Sequence, residues 1–73
     1  MIRCNLSTLM GRKKLRIADV ARCTGLNRST VQALYRETAT RVDLAAIDKL
    51  CRLFNCQVGE LFELVDDGGE AKP

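Results

Sequence analysis

Ile17-Ala18-Asp19-Val20-Ala21-Arg22-Cys23-Thr24-Gly25-Leu26-Asn27-Arg28-Ser29-Thr30-Val31-Gln32-Ala33-Leu34 is the stretch that decides the fold. Ile17, Val20 and Ala21 recur at the spacing that lines one face of a helix, predicted over about Ile17 to Thr24. Asp19, near its start, suits the positive end of the helix dipole. Gly25 ends it, because glycine adopts the left-handed conformation at a helix C-terminus without steric cost. Leu26 is an apolar anchor in the turn, and Asn27 is a favourable N-cap for a third helix running to about Tyr35 or Arg36. Val31 and Leu34 fasten that helix to the one before, and Ala21 is small enough for the two to cross closely. Two short helices about a glycine-centred turn form a helix-turn-helix.

The flanks read as further short helices. Asn5 can cap a first one, with Leu6, Leu9 and Met10 on one stripe, fading through Lys13 and Lys14. A loop of Thr and Ala with Arg41 leads to Asp43, the expected cap of a fourth helix striped by Leu44, Ile47, Leu50, Cys51 and Phe54. Asn55 stops it. A fifth helix is expected from Val58 to about Phe62, with Leu61 and Phe62 turned inward. The apolar ends Ile2 to Cys4 and Glu63 to Val65 are able to pair as a small two-strand ribbon. The predicted fold class is all-α: a compact bundle of about five short helices over residues 1–65. An acidic, Gly-rich tail over residues 66–73 is expected to be flexible from about Asp67.

At 73 residues the chain has room for one domain, and hardly any for a substrate cavity. It contains no His, which removes the commonest general base, so an enzyme is not expected. The net charge of +3 conceals a split. Met1 to Arg41 holds nine basic and two acidic residues, a net of +7; Val42 to Pro73 holds three basic and seven acidic residues, a net of −4. A basic half beside an acidic half points to one face that meets a polyanion. No secretory signal or membrane-length apolar run is present, so a cytoplasmic location is expected. Cys4, Cys23, Cys51 and Cys56 form no Cys-x-x-Cys pair, and no His completes a mixed zinc site. They read as free thiols in small apolar roles. No metal or cofactor is expected.

Turned at about 100° per residue, Arg28, Gln32, Arg36, Ser29 and Ala33 share an arc of about 140° on the third helix, with Val31 and Leu34 opposite. The outer arc carries two guanidinium groups, an amide, a hydroxyl and a methyl, and no acid. Arg is built to grip guanine, Gln adenine, and a methyl contacts thymine.

The helix-turn-helix run, with the closing segments Leu44 to Phe54 and Val58 to Leu61, resembles the Cro/CI (Xre-like) family of phage and bacterial transcriptional regulators. The resemblance covers nearly all of Leu6 to Phe62, with Ala21, Gly25, Val31 and Leu34 in register. It implies a lambda-repressor-like bundle whose third helix enters the major groove of double-stranded DNA. Positions matching Arg28, Ser29 and Ala33 commonly face base edges in that family, and those matching Asn27 and Arg36 often hold phosphates. Gln32 is placed for either and is assigned to the bases. Thr30 is expected to be packed or half-buried, and Tyr35 to lie at the core edge. Thr38, Thr40 and Arg41 are placed for backbone contacts. Arg12, Lys13, Lys14 and Arg16 cluster before the second helix, and Lys14 and Arg16 are assigned to phosphates. The sequence departs from the family twice: Ile17 stands where a Gln often touches a phosphate, and Arg16 where a Ser or Thr often caps.

The expected function is a sequence-specific repressor that binds a palindromic operator as a homodimer, without a small-molecule effector domain. Its dimer surface is expected in the acidic half or at the apolar ends Ile2 and Leu64-Val65. Two other readings stay open: an antitoxin-like or adaptor module that grips a protein with the same fold, and a thiol or metal sensor built on the four cysteines.

Overall fold

The computed structural model describes residues 1–65; the expected flexible tail lies outside the described residues. The elements in chain order are β1 (Ile2–Cys4), α1 (Leu6–Lys13), α2 (Ile17–Thr24), α3 (Arg28–Tyr35), α4 (Leu44–Phe54), α5 (Val58–Leu61) and β2 (Phe62–Leu64). Five helices surround one core, and the two strands close the ends of the described chain.

The apolar stripes meet where the sequence places them in the first three helices. Leu6, Leu9 and Met10 of α1, Val20 and Ala21 of α2, and Val31 and Leu34 of α3 are buried together with Leu50, Phe54 and Leu61. Complete burial of side chains such as Val31 and Leu50 contributes roughly 1.5–3 kcal/mol each. Ile17 and Leu26 pack half-buried against this core, which fixes the turn between α2 and α3.

In α4 the expected stripe shifts. Leu44 is 83% exposed, and Ala46 is buried in its place. The buried line is Ala46, Leu50 and Phe54, four residues apart, flanked by half-buried Ile47, Cys51 and Leu53. On a helical wheel Leu44 falls about 160° from Ala46, beyond the reach of the core.

The helix ends follow two patterns. α2 closes on Gly25 in the left-handed conformation (φ 78°), whose N–H donates to the Ala21 carbonyl at 2.8 Å. The other three long helices close on non-glycine residues at positive φ: Lys14 (56°), Glu37 (59°) and Asn55 (51°). At each, two backbone bonds complete a Schellman motif. Leu15 donates to Met10 and Lys14 to Gly11, at 2.9 and 3.2 Å. Thr38 donates to Ala33 and Glu37 to Leu34, at 2.9 and 3.2 Å. Cys56 donates to Cys51 and Asn55 to Arg52, at 3.0 and 3.3 Å.

Asn5, Asn27 and Asp43 occupy the N-cap positions, but none of their side chains makes the expected capping bond. Asn5 has another task. Its amide donates to Glu63 Oε1 at 2.9 Å and to the Glu60 carbonyl at 3.3 Å, tying α1 to the C-terminal end of the fold. Where α2 lacks a Ser or Thr cap, the Asp19 carboxylate accepts the Arg16 backbone N–H at 2.9 Å. An acid three residues into the helix thus satisfies the N-cap backbone.

The fifth helix ends at Leu61, one residue before the expected limit, because Phe62 is extended (φ −124°, ψ 143°) and opens β2. The ribbon forms, with its second strand one residue earlier than expected. It is antiparallel, pairing Ile2 with Leu64, Arg3 with Glu63 and Cys4 with Phe62. Phe62 is half-buried against the core.

Candidate nucleic-acid interface

α3 presents two unlike faces. Val31 and Leu34 are buried, whereas Arg28, Ser29 and Arg36 are exposed and Gln32 and Ala33 half-buried. Thr30 is half-buried, as expected. Tyr35 stands at the rim, 42% exposed, and borders a groove with Met10, Leu15, Arg16, Ile17, Ala18 and Arg28. Arg16, at the start of α2, and Arg28, at the start of α3, line that same groove.

The loop after α3 runs along its other flank. Ser29, Thr30 and Ala33 share one shallow groove with Thr38, Ala39, Thr40 and Arg41. Asn27, Gly25 and Thr30 share the next with Arg41, Val42 and Asp43. Arg41 therefore borders both grooves, where the helix-turn-helix turn and the loop meet. Ser29, Ala33, Thr38, Thr40, Arg41 and Asn27 form one continuous surface along α3. Arg36 extends it at the C-terminal end of α3, as that helix's C-cap residue. Lys14, exposed at the C-terminal end of α1, lies two residues before Arg16.

The electrostatics favour an anion. Among the described residues no carboxylate lies within ion-pair distance of Arg16, Arg28, Arg36 or Arg41. Arg22 differs: it pairs with Asp19 at 3.1 Å. Asp19 is held below the usual carboxylate range, first by the Arg16 backbone N–H and then by Arg22. Arg22 is thus paired within α2, whereas Arg16 acts on Asp19 only through its backbone N–H and a longer-range attraction. Thr38 is partly engaged as well, its hydroxyl donating to the Ala33 carbonyl at 3.4 Å. It would have to release that long bond to donate to a phosphate.

One residue that the sequence did not mark helps hold this surface. Glu37, in the left-handed conformation after α3, accepts the Cys4 backbone N–H on its Oε1 at 3.1 Å. This anchors the start of the loop to β1. Its only sequence signal was being one of two acids in the basic half.

No group of three or more His, Cys, Asp or Glu side chains suited to a metal ion occurs among the described residues. No helix among them is long and apolar enough to cross a membrane. The arrangement offers hydrogen-bond donors and cations on a convex helix, suited to a groove lined by phosphates and base edges. A family model described as the Cro/C1-type HTH DNA-binding domain matches residues 5–67. No curated protein matches the sequence.

Proposed function

Since the chain belongs to the Cro/C1-type helix-turn-helix DNA-binding family, we propose that it is a sequence-specific repressor that binds a palindromic operator as a homodimer. The family is a DNA-binding class of domain, and its members regulate by occupying DNA. The observation that carries the reading is the outer face of α3. It presents Arg28, Ser29, Gln32, Ala33 and Arg36 without an acid, at the place where a recognition helix enters the major groove.

In this reading Arg28 leads base readout from the N-terminal end of α3. Ser29, Gln32 and Ala33 read further base edges. Asn27, Arg36, Thr38, Thr40 and Arg41 hold phosphates along α3, and Arg16 and Lys14 hold them beside α2. Arg16, next to Arg28, supplies the electrostatic anchor where Ile17 replaces the family's common Gln. The protein works in the cytoplasm on double-stranded DNA and takes no small-molecule effector.

A single recognition helix buries too little surface for tight specificity, which supports a dimer reading two half-sites about 34 Å apart. The ribbon is the proposed two-fold contact. Ile2 and Leu64 are cross-strand partners, 61% and 80% exposed, and form an apolar surface that a second copy covers.

Selection of bound sequences from a random duplex pool tests the reading. An inverted repeat, bound with steep salt dependence, is expected. Recovery of no preferred sequence, with a protein co-purifying in equal amount, would replace the reading by a protein-gripping module.

A further inference from the structure

The Schellman closure does more than satisfy carbonyl groups. It folds the sixth residue of the motif back onto the first, and a contact between their side chains frequently accompanies it. At α1 that pair is Met10 and Leu15, an apolar contact bordering the groove beside Tyr35. At α3 it is Ala33 and Thr38, whose hydroxyl donates to the Ala33 backbone carbonyl at 3.4 Å. At α4 both residues are cysteines: Cys56 donates its N–H to the Cys51 carbonyl at 3.0 Å, around Asn55 at φ 51°.

Both thiols are reduced and half-buried against the core. Burial first, and then the charge of the neighbouring Cys51 thiolate, push the Cys56 thiol up from its ordinary value. The other cysteines lack such a neighbour: Cys4 is buried on β1, and Cys23 is exposed on α2. No third His, Cys, Asp or Glu joins the pair in a group suited to a metal ion among the described residues. A disulfide requires α-carbons about 4.4–6.8 Å apart. The 3.0 Å bond from the Cys56 N–H to the Cys51 carbonyl limits how far the two α-carbons can separate, with α4 intact.

We propose that Cys51 and Cys56 are an oxidation site, a dithiol that a hydroperoxide converts into an intramolecular disulfide across the C-terminal end of α4. One thiolate attacks a peroxide oxygen, the O–O bond breaks, and sulfur leaves as a sulfenic acid with release of hydroxide. The second thiolate attacks that sulfur, the S–S bond forms, and the sulfenic oxygen leaves as hydroxide. Two thiols and one hydrogen peroxide thus yield one disulfide and two waters. Two electrons pass from sulfur to the peroxide. Because thiolate is the nucleophile and Cys56 is held protonated, the reaction accelerates as pH rises. The crosslink lies at the far end of α4 from the loop beside α3, and it fixes the turn that carries α5 and β2.

The sequence supplies its own assay, since Arg52 lies between the two cysteines. The full chain carrying Cys23→Ser, which removes the exposed thiol, is treated with hydrogen peroxide at mildly alkaline pH. It is then cut with trypsin without reductant. Peptides 50–52 and 53–73 are expected to stay joined, two hydrogens lighter than their sum, and to separate on reduction. Adding Cys51→Ala must abolish the joined species. Separate peptides, with either cysteine unmodified or carrying added oxygen, overturn the proposal. So does a crosslink from Cys4 to either residue.

Discussion

The Glu37 carboxylate accepts the backbone N–H of Cys4 at 3.1 Å, bridging the end of α3 and the N-terminal strand across 33 positions of sequence. The bond satisfies an N–H on the side of β1 that faces away from β2. It also fixes the first residue of the loop that carries Thr38, Thr40 and Arg41. Two opposing terms meet at Glu37. The hydrogen bond contributes about 1 kcal/mol, while a left-handed non-glycine residue costs about 1–2 kcal/mol. Glu37→Ala keeps the backbone cost and loses the bond, so it lowers stability by about 1 kcal/mol. Glu37→Gly loses the bond but also removes the backbone cost, so it is more stable than Glu37→Ala. Urea unfolding of the three proteins checks the order, and equal midpoints for Ala and wild type would show that the bond contributes nothing.

The core prediction contrasts two leucines on one helix. Leu50 has no exposed surface and Leu44 is 83% exposed. Leu50→Ala removes packed methyl groups beneath α2 and leaves a cavity, costing about 2–5 kcal/mol. Leu44→Ala removes atoms already in water and changes stability by less than about 0.5 kcal/mol. Denaturant midpoints of the two variants decide it, and similar losses would mean that α4 buries a different face.

These leucines also show where sequence reading ends. Helix spacing, Gly25, Asn55 and the stripes of α1 to α3 were legible, because each follows from local periodicity or backbone conformation. Leu44 was misread because periodicity gives a face but not its width: a residue at the edge of the stripe is buried only where a neighbouring helix reaches it. Asn5 was misread because capping is only one use of a short amide, and Glu60 and Glu63 arrive from the other end of the chain. Lys14 and Glu37 carry no sequence sign of left-handed backbone, since neither is glycine or asparagine. On the interface, the acid-free arc of α3 was legible from spacing. The nearness of Arg16 to Arg28, and of Arg41 to Asn27, came only from the packing of α2 and the loop against α3.

Acid should expose the role of Asp19. Its carboxyl titrates below the ordinary value of 3.8, chiefly because the Arg16 N–H binds the charged form, with Arg22 adding to it. A carboxyl with a depressed folded-state value stabilises fully above the unfolded value and loses that contribution as pH falls through the folded one. Wild type and Asp19→Ala should therefore differ in urea midpoint by a constant amount from neutral pH to somewhat above 3.8. The gap should narrow progressively below that. A gap unchanged across the acid range would mean that Asp19 acts through something other than its charge.

Arg28 and Arg36 lie on the same face of α3 but should fail differently on DNA. Arg28 is the first residue of α3 and lines a groove with Arg16. Arg36 is the C-cap residue, exposed at the other end of α3. Replacing a base-reading arginine costs about 1–3 kcal/mol on the selected operator and relaxes one base position. Replacing a phosphate-holding one weakens every sequence alike and reduces the slope of log affinity against log salt by about 1. Arg28→Ala should therefore narrow the gap between operator and scrambled duplex, and Arg36→Ala should leave that gap intact while flattening the salt dependence. Titrating both variants against both duplexes at several salt concentrations separates the two effects. If Arg28→Ala weakens operator and scrambled duplex equally, Arg28 is a phosphate contact and base readout passes to Ser29, Gln32 and Ala33.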